Sequence, residues 1–225
     1  MKINTKFLTT RLAVAAAVVL SITSCKKDDD NEMMMNTQVS FVNTVEGSAA
    51  QDVYINDLKV NTSAVAYGSA LTDISTTSGS KTIAFKNSGS ATVTASANVD
   101  ASANSSQTAF LVKQANGSLA VSTYANDNTT ASGKAKVRFI NVAPMLSSTI
   151  NVATSNGTNL ISALAFRTAS AYQTIDANTN LNVTMSGSLE VTTIAGSELQ
   201  AGKIYTIWFD SSTTTKAKYH IVVQK

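Results

Sequence analysis

Short runs in which apolar and polar residues alternate make up most of the chain after residue 36. Val53 and Ile55 alternate with polar neighbours, and Ile83 and Phe85 do the same further on. Runs of the same kind occupy residues 92–96, 119–124, 191–194, 205–209 and 219–223. A period of two, rich in β-branched and aromatic residues, predicts strands with one buried face. No capped apolar stripe of helical period follows residue 36, so the predicted fold class is all-β.

Turn residues separate these runs and indicate how the strands are connected. Asn116-Gly117 and Asn156-Gly157 are the best predicted hairpin turns, because asparagine and glycine both tolerate positive φ. About seven short strands in about 90 residues is typical of a β-sandwich. The sequence therefore predicts antiparallel sandwiches of the immunoglobulin-like or Greek-key-like kind.

The apolar pattern also repeats. Residues 39–43 (VSFVN) return 98 positions later as residues 137–141 (VRFIN), and residues 88–90 (SGS) return at the same spacing as residues 186–188. Several matches in order at nearly one offset indicate a duplication, and a period near 100 is too long for a solenoid unit. Two tandem domains are therefore predicted rather than an array of repeats.

The predicted domains are a first sandwich at residues 37–126 and a second sandwich at residues 136–225. The segment between them, residues 127–135, is polar and lacks apolar periodicity, which predicts a linker. Each copy is long enough to build a modest core of its own. Each is therefore predicted to fold alone.

The N-terminus carries a different pattern. Three basic residues precede an uncharged apolar run that ends in Ile22-Thr23-Ser24, directly before Cys25. The run is shorter than the roughly 20 residues that span a bilayer. The arrangement resembles a bacterial lipobox, which predicts a lipoprotein signal peptide at residues 1–24 and lipid attachment to the membrane through Cys25. The alternative is an ordinary cleaved signal followed by an unrelated cysteine.

A charged segment follows the cysteine. Residues 25–36 are too charged and too short to fold, which predicts a disordered tether. Residues 27–29 (KDD) resemble the lysine-plus-acidic signal of Bacteroidota lipoproteins, which implies an outer-membrane location facing the cell exterior. A plain spacer, with the protein on the periplasmic face, is the alternative.

Removing the signal changes the charge. The chain has 17 basic and 14 acidic residues, but three basic residues lie before Cys25, so 14 of each remain. No basic surface is left to favour nucleic acid. Because Cys25 is the only cysteine, no disulfide, Cys-His site or cysteine metal site is predicted.

Candidate catalytic chemistry is sparse. His220 is the only histidine, and strand parity predicts that it faces solvent. With one histidine and no spare cysteine, no metal site, cofactor or catalytic residue is predicted. A glycosidase is the least excluded enzyme, since its two carboxylates need only meet in space. The scattered candidates are Asp52, Asp57, Asp73, Asp100, Asp176, Glu190, Glu198 and Asp210.

The largest aromatic side chains and the arginines complete the candidate binding residues. Trp208, with Tyr205 and Phe209, is predicted to pack in the sandwich core, and a sugar-stacking platform is the alternative. Arg138 and Arg167 are the only arginines after Cys25 and are predicted to be isolated surface charges.

Several motifs together resemble one known family. Residues 52–56 (DVYIN) and 64–69 (AVAYGS) resemble two strands of the domain-of-unknown-function 4397 family, and residues 164–168 (LAFRT) and 199–206 (LQAGKIYT) resemble its later motifs. The second copy departs from the first motif, with residues 149–152 (TINV). The resemblance implies surface or secreted β-sandwich repeats of unestablished activity and supplies no catalytic residues.

These observations predict a non-enzymatic, lipid-anchored binding or adhesion module of the cell envelope. Its expected partner is an extracellular glycan or a protein, recognised through loops or strand edges. One alternative is a structural or assembly subunit that pairs through an exposed strand edge. A more distant alternative is a glycan-acting enzyme.

Overall fold

The computed structural model describes residues 36–224, and the fold of this part is built from strands. Within it there are sixteen strands, one 3-10 turn (Gly196–Glu198) and no α-helix, which confirms the all-β prediction. The strands of the first half are β1 (Asn36–Asn43), β2 (Gln51–Ile55), β3 (Leu58–Lys59), β4 (Ala70–Thr77), β5 (Gly79–Asn87), β6 (Val93–Ala101), β7 (Ser106–Lys113) and β8 (Leu119–Ala125). Those of the second half are β9 (Lys134–Asn141), β10 (Ile150–Thr154), β11 (Asn159–Leu164), β12 (Gln173–Asp176), β13 (Leu181–Met185), β14 (Val191–Ile194), β15 (Ile204–Asp210) and β16 (Lys218–Val223).

The signal peptide, Cys25 and the tether up to residue 35 lie outside the described residues. Asn36, the last residue of the predicted tether, already belongs to β1. In the part of the chain that is described, no helix is long and apolar enough to cross a membrane.

The two halves share one strand plan. The first half has an inner sheet, ordered β4-β1-β7-β8, and an outer sheet, ordered β3-β2-β5-β6. In the second half the inner sheet is β12-β9-β15-β16 and the outer sheet is β11-β10-β13-β14. Every strand therefore has a counterpart eight strands later. The sheets are not purely antiparallel as predicted, because β1 pairs with β7 and β9 with β15 in parallel.

Each half has its own apolar core between its inner and outer sheet. In the first core Phe41 and Phe85 meet edge to face, with ring centroids 5.9 Å apart. In the second core Phe139 stacks on Phe209, with centroids 6.1 Å apart. Ring pairs of this kind add to the stabilisation from area burial.

The two inner sheets are apolar on their other face as well, and there they pack against each other. Along β7, Ala109 and Leu111 belong to the first core, whereas Phe110 and Val112 belong to a third cluster shared by both halves. We call this cluster the seam. It consists of Val42, Phe110, Val112, Ile140, Val142, Trp208 and Val222, with Tyr67, Ala120, Tyr124 and Ala169 at its margins. Each large apolar side chain buried there stabilises the pairing by about 1.5–3 kcal/mol.

Both predicted hairpin turns are present. Gly117 lies between β7 and β8 at φ 84°, and Gly157 lies between β10 and β11 at φ 91°. The amide of Gly117 donates to the carbonyl of Gln114, 2.9 Å away. Asn116 and Asn156 do not have positive φ. These are therefore longer loops with a glycine at the left-handed position rather than two-residue turns.

Two other segments differ from the prediction. Residues 64–69 form no strand: Val65 and Tyr67 make only isolated bridges, to Gln51 and Asn43, as the chain crosses from the outer to the inner sheet. In addition, β9 begins at Lys134, inside the predicted linker, and the next residue is already buried. That each half folds independently stays a prediction.

The strand directions give this paired structure two distinct ends. Asn36 begins β1 at the end where the amide of Gln224 donates to Asn126 across the halves, at 2.6 Å. We call this the linker end. At the opposite end, the far end, the segments after β1 and β9 lie side by side, since Thr44 and Val142 line one cleft. Eight residues of strand at about 3.3 Å each separate the two ends by about 25 Å.

Candidate functional site

Polar and aromatic side chains cluster where β15 and β16 face the seam. Trp208 lies directly opposite His220, and Asp210 lies opposite Lys218. The two rings of the first pair stack with centroids 3.9 Å apart and planes 8° from parallel. In the second pair the ammonium is 3.8 Å from a carboxylate oxygen. Both are cross-strand pairs on one face of the sheet, where opposite residues are closest.

Tyr67 completes this cluster from the first half. Its hydroxyl donates to Oδ2 of Asp210, and Oδ1 of the same carboxylate is 3.2 Å from Nε2 of His220. Nζ of Lys218 donates to the Tyr67 oxygen at 3.2 Å and to Oε1 of Glu46 at 2.8 Å. We call Tyr67, Asp210, Lys218 and His220 the seam network. It bonds the two halves through one nearly buried carboxylate.

Electrostatics in the network favour the protonated phenol and the charged ammonium. Burial, together with the hydrogen bond to the Asp210 carboxylate, raises the pKa of Tyr67 to about 12. Burial alone would lower the pKa of Lys218, but hydrogen bonds to Glu46 and Tyr67 and the charge of Asp210 raise it above its usual value. At neutral pH the Tyr67 phenol therefore stays protonated and the Lys218 ammonium stays charged, so the hydrogen bonds that they donate persist.

The Tyr67 shift predicts a loss of stability at high pH. Its pKa is higher in the folded chain than the ordinary value of about 10, so the stabilisation is complete below pH 10 and disappears as the pH rises through 12. Urea unfolding at pH 9 and pH 12 should show a smaller loss in Tyr67→Phe than in the wild type. The tyrosine titration curve, followed by absorbance at 295 nm, should show one fewer tyrosine that ionises at high pH in the same variant. An equal loss of stability in both proteins would contradict this assignment.

The sequence-based prediction for His220 is wrong, and that for Trp208 is confirmed only in part. His220 does not face solvent freely, because it lies between Trp208 and Tyr67 and its side chain is 22% exposed. Trp208 is fully buried as predicted, together with Tyr205 and Phe209. It packs in the seam, however, while the other two pack in the second core.

The arginines are not isolated surface charges either. Arg138 is 3% exposed and donates to the carbonyl of Ala125, and at 3.0 Å to Asn126. Its guanidinium lies 4.8 Å from the ring centroid of Tyr172. Burial lowers the pKa of Arg138. Arg167 is exposed, but it reaches the first half by donating to Ser122 at 3.2 Å.

A cleft opens at the far end, beside the seam network. Its volume is about 270 Å³, and both halves line it. Val45, Pro144 and Met145 provide apolar surface, and Glu46 and Asp210 bring two carboxylates to the same place. Of these two acids, sequence reasoning named only Asp210, and nothing in the sequence connected it with residue 46. The lining residues are Thr44, Val45, Glu46, Lys113, Val142, Pro144, Met145, Asp210, Ser211 and Ser212.

The groups that could do chemistry at this site are engaged with one another. His220 is hydrogen-bonded to Asp210 and to Tyr67. The nearby hydroxyl of Ser211 donates to the carbonyl of Lys216 at 2.6 Å, within its own loop. Among residues 36–224, no group of three or more histidine, cysteine, aspartate or glutamate residues could hold a metal ion.

The fold and the seam define a protein of two paired β-sandwiches with a cleft between them. Residues 37–149 match the family described as "Domain of unknown function (DUF4397)", and the chain belongs to that family. The match covers the first half and β9, while the second-half motifs lie beyond it. No curated protein matches the chain.

Several solved chains are similar to this one, and one of them shows the kind of likeness. It is a carbohydrate-binding module of family CBM26 from Eubacterium rectale Amy13K, crystallised in complex with maltoheptaose. The identity is 11%, over 83% of this chain and 96% of that chain, with a TM-score of 0.27. A likeness of this size carries no argument about what the present chain binds.

Proposed function

We propose that this protein is a lipid-anchored binding module of the outer membrane, displayed towards the cell exterior, which holds its ligand at the far end without turning it over. The observation that carries the proposal is the direction of the chain. Asn36 starts β1 at the linker end, so a tether on Cys25 enters there. The far-end loops and their cleft then point away from the membrane, about 25 Å from Asn36, where the tether joins β1.

The chemistry of the seam supports binding over catalysis. Trp208, His220 and Asp210 are the side chains best suited to stacking or proton transfer, and their contacts hold the two halves together. A catalytic base needs access to substrate, and a nucleophile needs a base within hydrogen-bond reach. The network uses these groups for rigidity and leaves the far-end surface to loops that can contact a partner.

A glycan-acting enzyme is the second candidate, and one observation favours it. Glu46 and Asp210 both line the cleft, and each lies within 4 Å of the Lys218 ammonium. Glycosidases use two carboxylates about 5–10 Å apart. The contacts argue against this reading, because both carboxylates form ion pairs with Lys218 and Asp210 also accepts the Tyr67 hydroxyl, so these groups bond within the chain rather than to a substrate.

Lipid attachment and exposure are tested on cells. Wild type should incorporate a fatty-acid analogue, and Cys25→Ser should not, since the thiol is the only one in the chain. Proteinase added to intact cells should remove the folded part. Label on Cys25→Ser would contradict the anchor, and protection until lysis would place the protein on the periplasmic side.

Binding and turnover are separated by one panel of polysaccharides. The purified chain from residue 26 onward should be retarded in gels that contain its polysaccharide ligand, with no release of reducing ends. Release that disappears in Glu46→Gln would establish the enzyme instead. Retardation by none of the polysaccharides, with no release, would contradict glycan binding and leave a protein partner to be sought.

A further inference from the structure

We infer that the far-end cleft is a subsite for one neutral sugar residue, held by its apolar ring face and its hydroxyls. The inference rests on the proposed function and specifies its ligand. The volume of about 270 Å³ lies just below the range of about 300–1,000 Å³ that is typical of drug-sized ligand sites. The cleft therefore suits a single ring better than a folded chain or a peptide.

The walls of the cleft match the two kinds of surface on a sugar. Val45, Val142 and Pro144 form an apolar side, and Met145, which is 52% exposed, extends it towards solvent. Methionine is flexible and polarisable, so it adapts to an irregular apolar face. None of the residues that line this cleft is aromatic. Stacking is therefore absent from this subsite, and the expected affinity is weak, in the millimolar range, about −4 kcal/mol.

Hydrogen-bonding groups lie at the rim. Within residues 36–224 Lys113 has no ion-pair partner and no hydrogen-bond acceptor for its ammonium, although it lines the cleft. One carboxylate oxygen of Glu46 binds Lys218, and the other has no hydrogen-bond partner among residues 36–224, so a ligand hydroxyl can donate to it. Ser212 adds an exposed hydroxyl. A polyol can both accept from an ammonium and donate to a carboxylate, which an apolar ligand cannot do.

The balance of charge selects a neutral ligand. Glu46 and Asp210 are offset by Lys113 and Lys218, so the cleft carries no net charge when all four are ionised. An acidic sugar would meet Lys113 but also the two carboxylates, and a cation would meet both ammonium groups. Neither sign of ligand charge is favoured overall.

The two methionines of the folded part provide the readout. Met145 lines the cleft, whereas Met185 is 4% exposed in the second half. With methyl-labelled methionine in the chain from residue 26 onward, titration with methyl glucoside, methyl galactoside or N-acetylglucosamine should shift the Met145 signal and leave Met185 in place. Glucuronate should shift it less, and glycerol should not shift it at matched concentration.

Two lysines provide a matched pair of variants. Lys113→Ala should weaken the affinity read from the saturable Met145 shift about tenfold or more, as expected for loss of one charged donor. Lys203→Ala should not change it, because that exposed residue precedes β15 at the linker end. Neither lysine side chain bonds to another described residue, so both variants should fold.

The outcomes separate this inference from the proposed function. Retardation by a polysaccharide without any Met145 shift would overturn the subsite and leave the binding module intact. A shift with glucuronate alone would overturn the neutral class, and an equal shift with glycerol would overturn sugar recognition. Equal weakening by Lys113→Ala and Lys203→Ala would overturn the placement at the far end.

Discussion

Replacing Trp208 with alanine should lower the free energy of unfolding by about 3–5 kcal/mol, the range for truncating a large buried aromatic side chain. Trp208 is fully buried at the centre of the seam and stacks on His220. Alanine would leave a cavity between the halves and remove the ring on which His220 stacks. Urea unfolding at pH 7, followed by circular dichroism, measures the loss.

The first half supplies the control for this prediction. Phe110 occupies the position in β7 that Trp208 occupies in β15, 98 residues later, and also packs in the seam. The indole N–H of Trp208 has no hydrogen-bond partner in the described residues. Trp208→Phe therefore forfeits no hydrogen bond and should cost less than about 2 kcal/mol. Equal losses for the alanine and phenylalanine variants would mean that the site does not depend on ring packing.

The fold class was predictable because buried apolar and exposed polar residues alternate along the strands of the outer sheets, as they do in strands with one buried face. In β5, Ile83 and Phe85 are in the core while Thr82 is exposed. The inner strands follow a different rule. β15 is buried along its whole length, because one face packs in the second core and the other in the seam. A continuous apolar run of this kind indicates burial on both faces but does not say against what.

That ambiguity explains the errors at His220 and Arg138. Parity separated the two faces of β16 correctly, but the face assigned to solvent is the one that the first half covers. The same holds for Arg138, which lies two residues before Ile140 in β9 and therefore on the same face of the strand, the face that packs in the seam. Packing between repeats depends on contacts far apart in sequence, and no local pattern encodes it.

The sequence contains the residues of the seam network, but it does not indicate that they contact one another. Tyr67 belongs to a motif that resembled a family strand, and it lies in an irregular crossing whose value is to reach the second half. Its partner Asp210 lies 143 residues away. Tyr67 and Asp210 become neighbours only because the two inner sheets pack against each other in the seam.

The seam also predicts what happens when the chain is cut between its halves. A protease site inserted between residues 131 and 132 would lie within the segment that the 2.6 Å ion pair of Asp127 with Lys136 closes, so this ion pair would join the two pieces after cleavage. After cleavage at neutral pH the two pieces should still elute as one particle at micromolar concentration. The reason is that the buried seam, the Tyr67 bond to Asp210 and the Arg138 bonds all remain.

Weakening the seam in the cut protein should separate the pieces. Trp208→Ala, or Val42→Ala as a milder change, removes apolar contact from the seam without touching either sandwich core. Because each half keeps its own core, the separated pieces should retain sheet spectra in far-ultraviolet circular dichroism. They should also bind a hydrophobic dye through the uncovered inner sheets. Separation of the wild-type pieces on cleavage would show that the linker, not the seam, holds the halves together, and unfolded pieces would contradict independent domains.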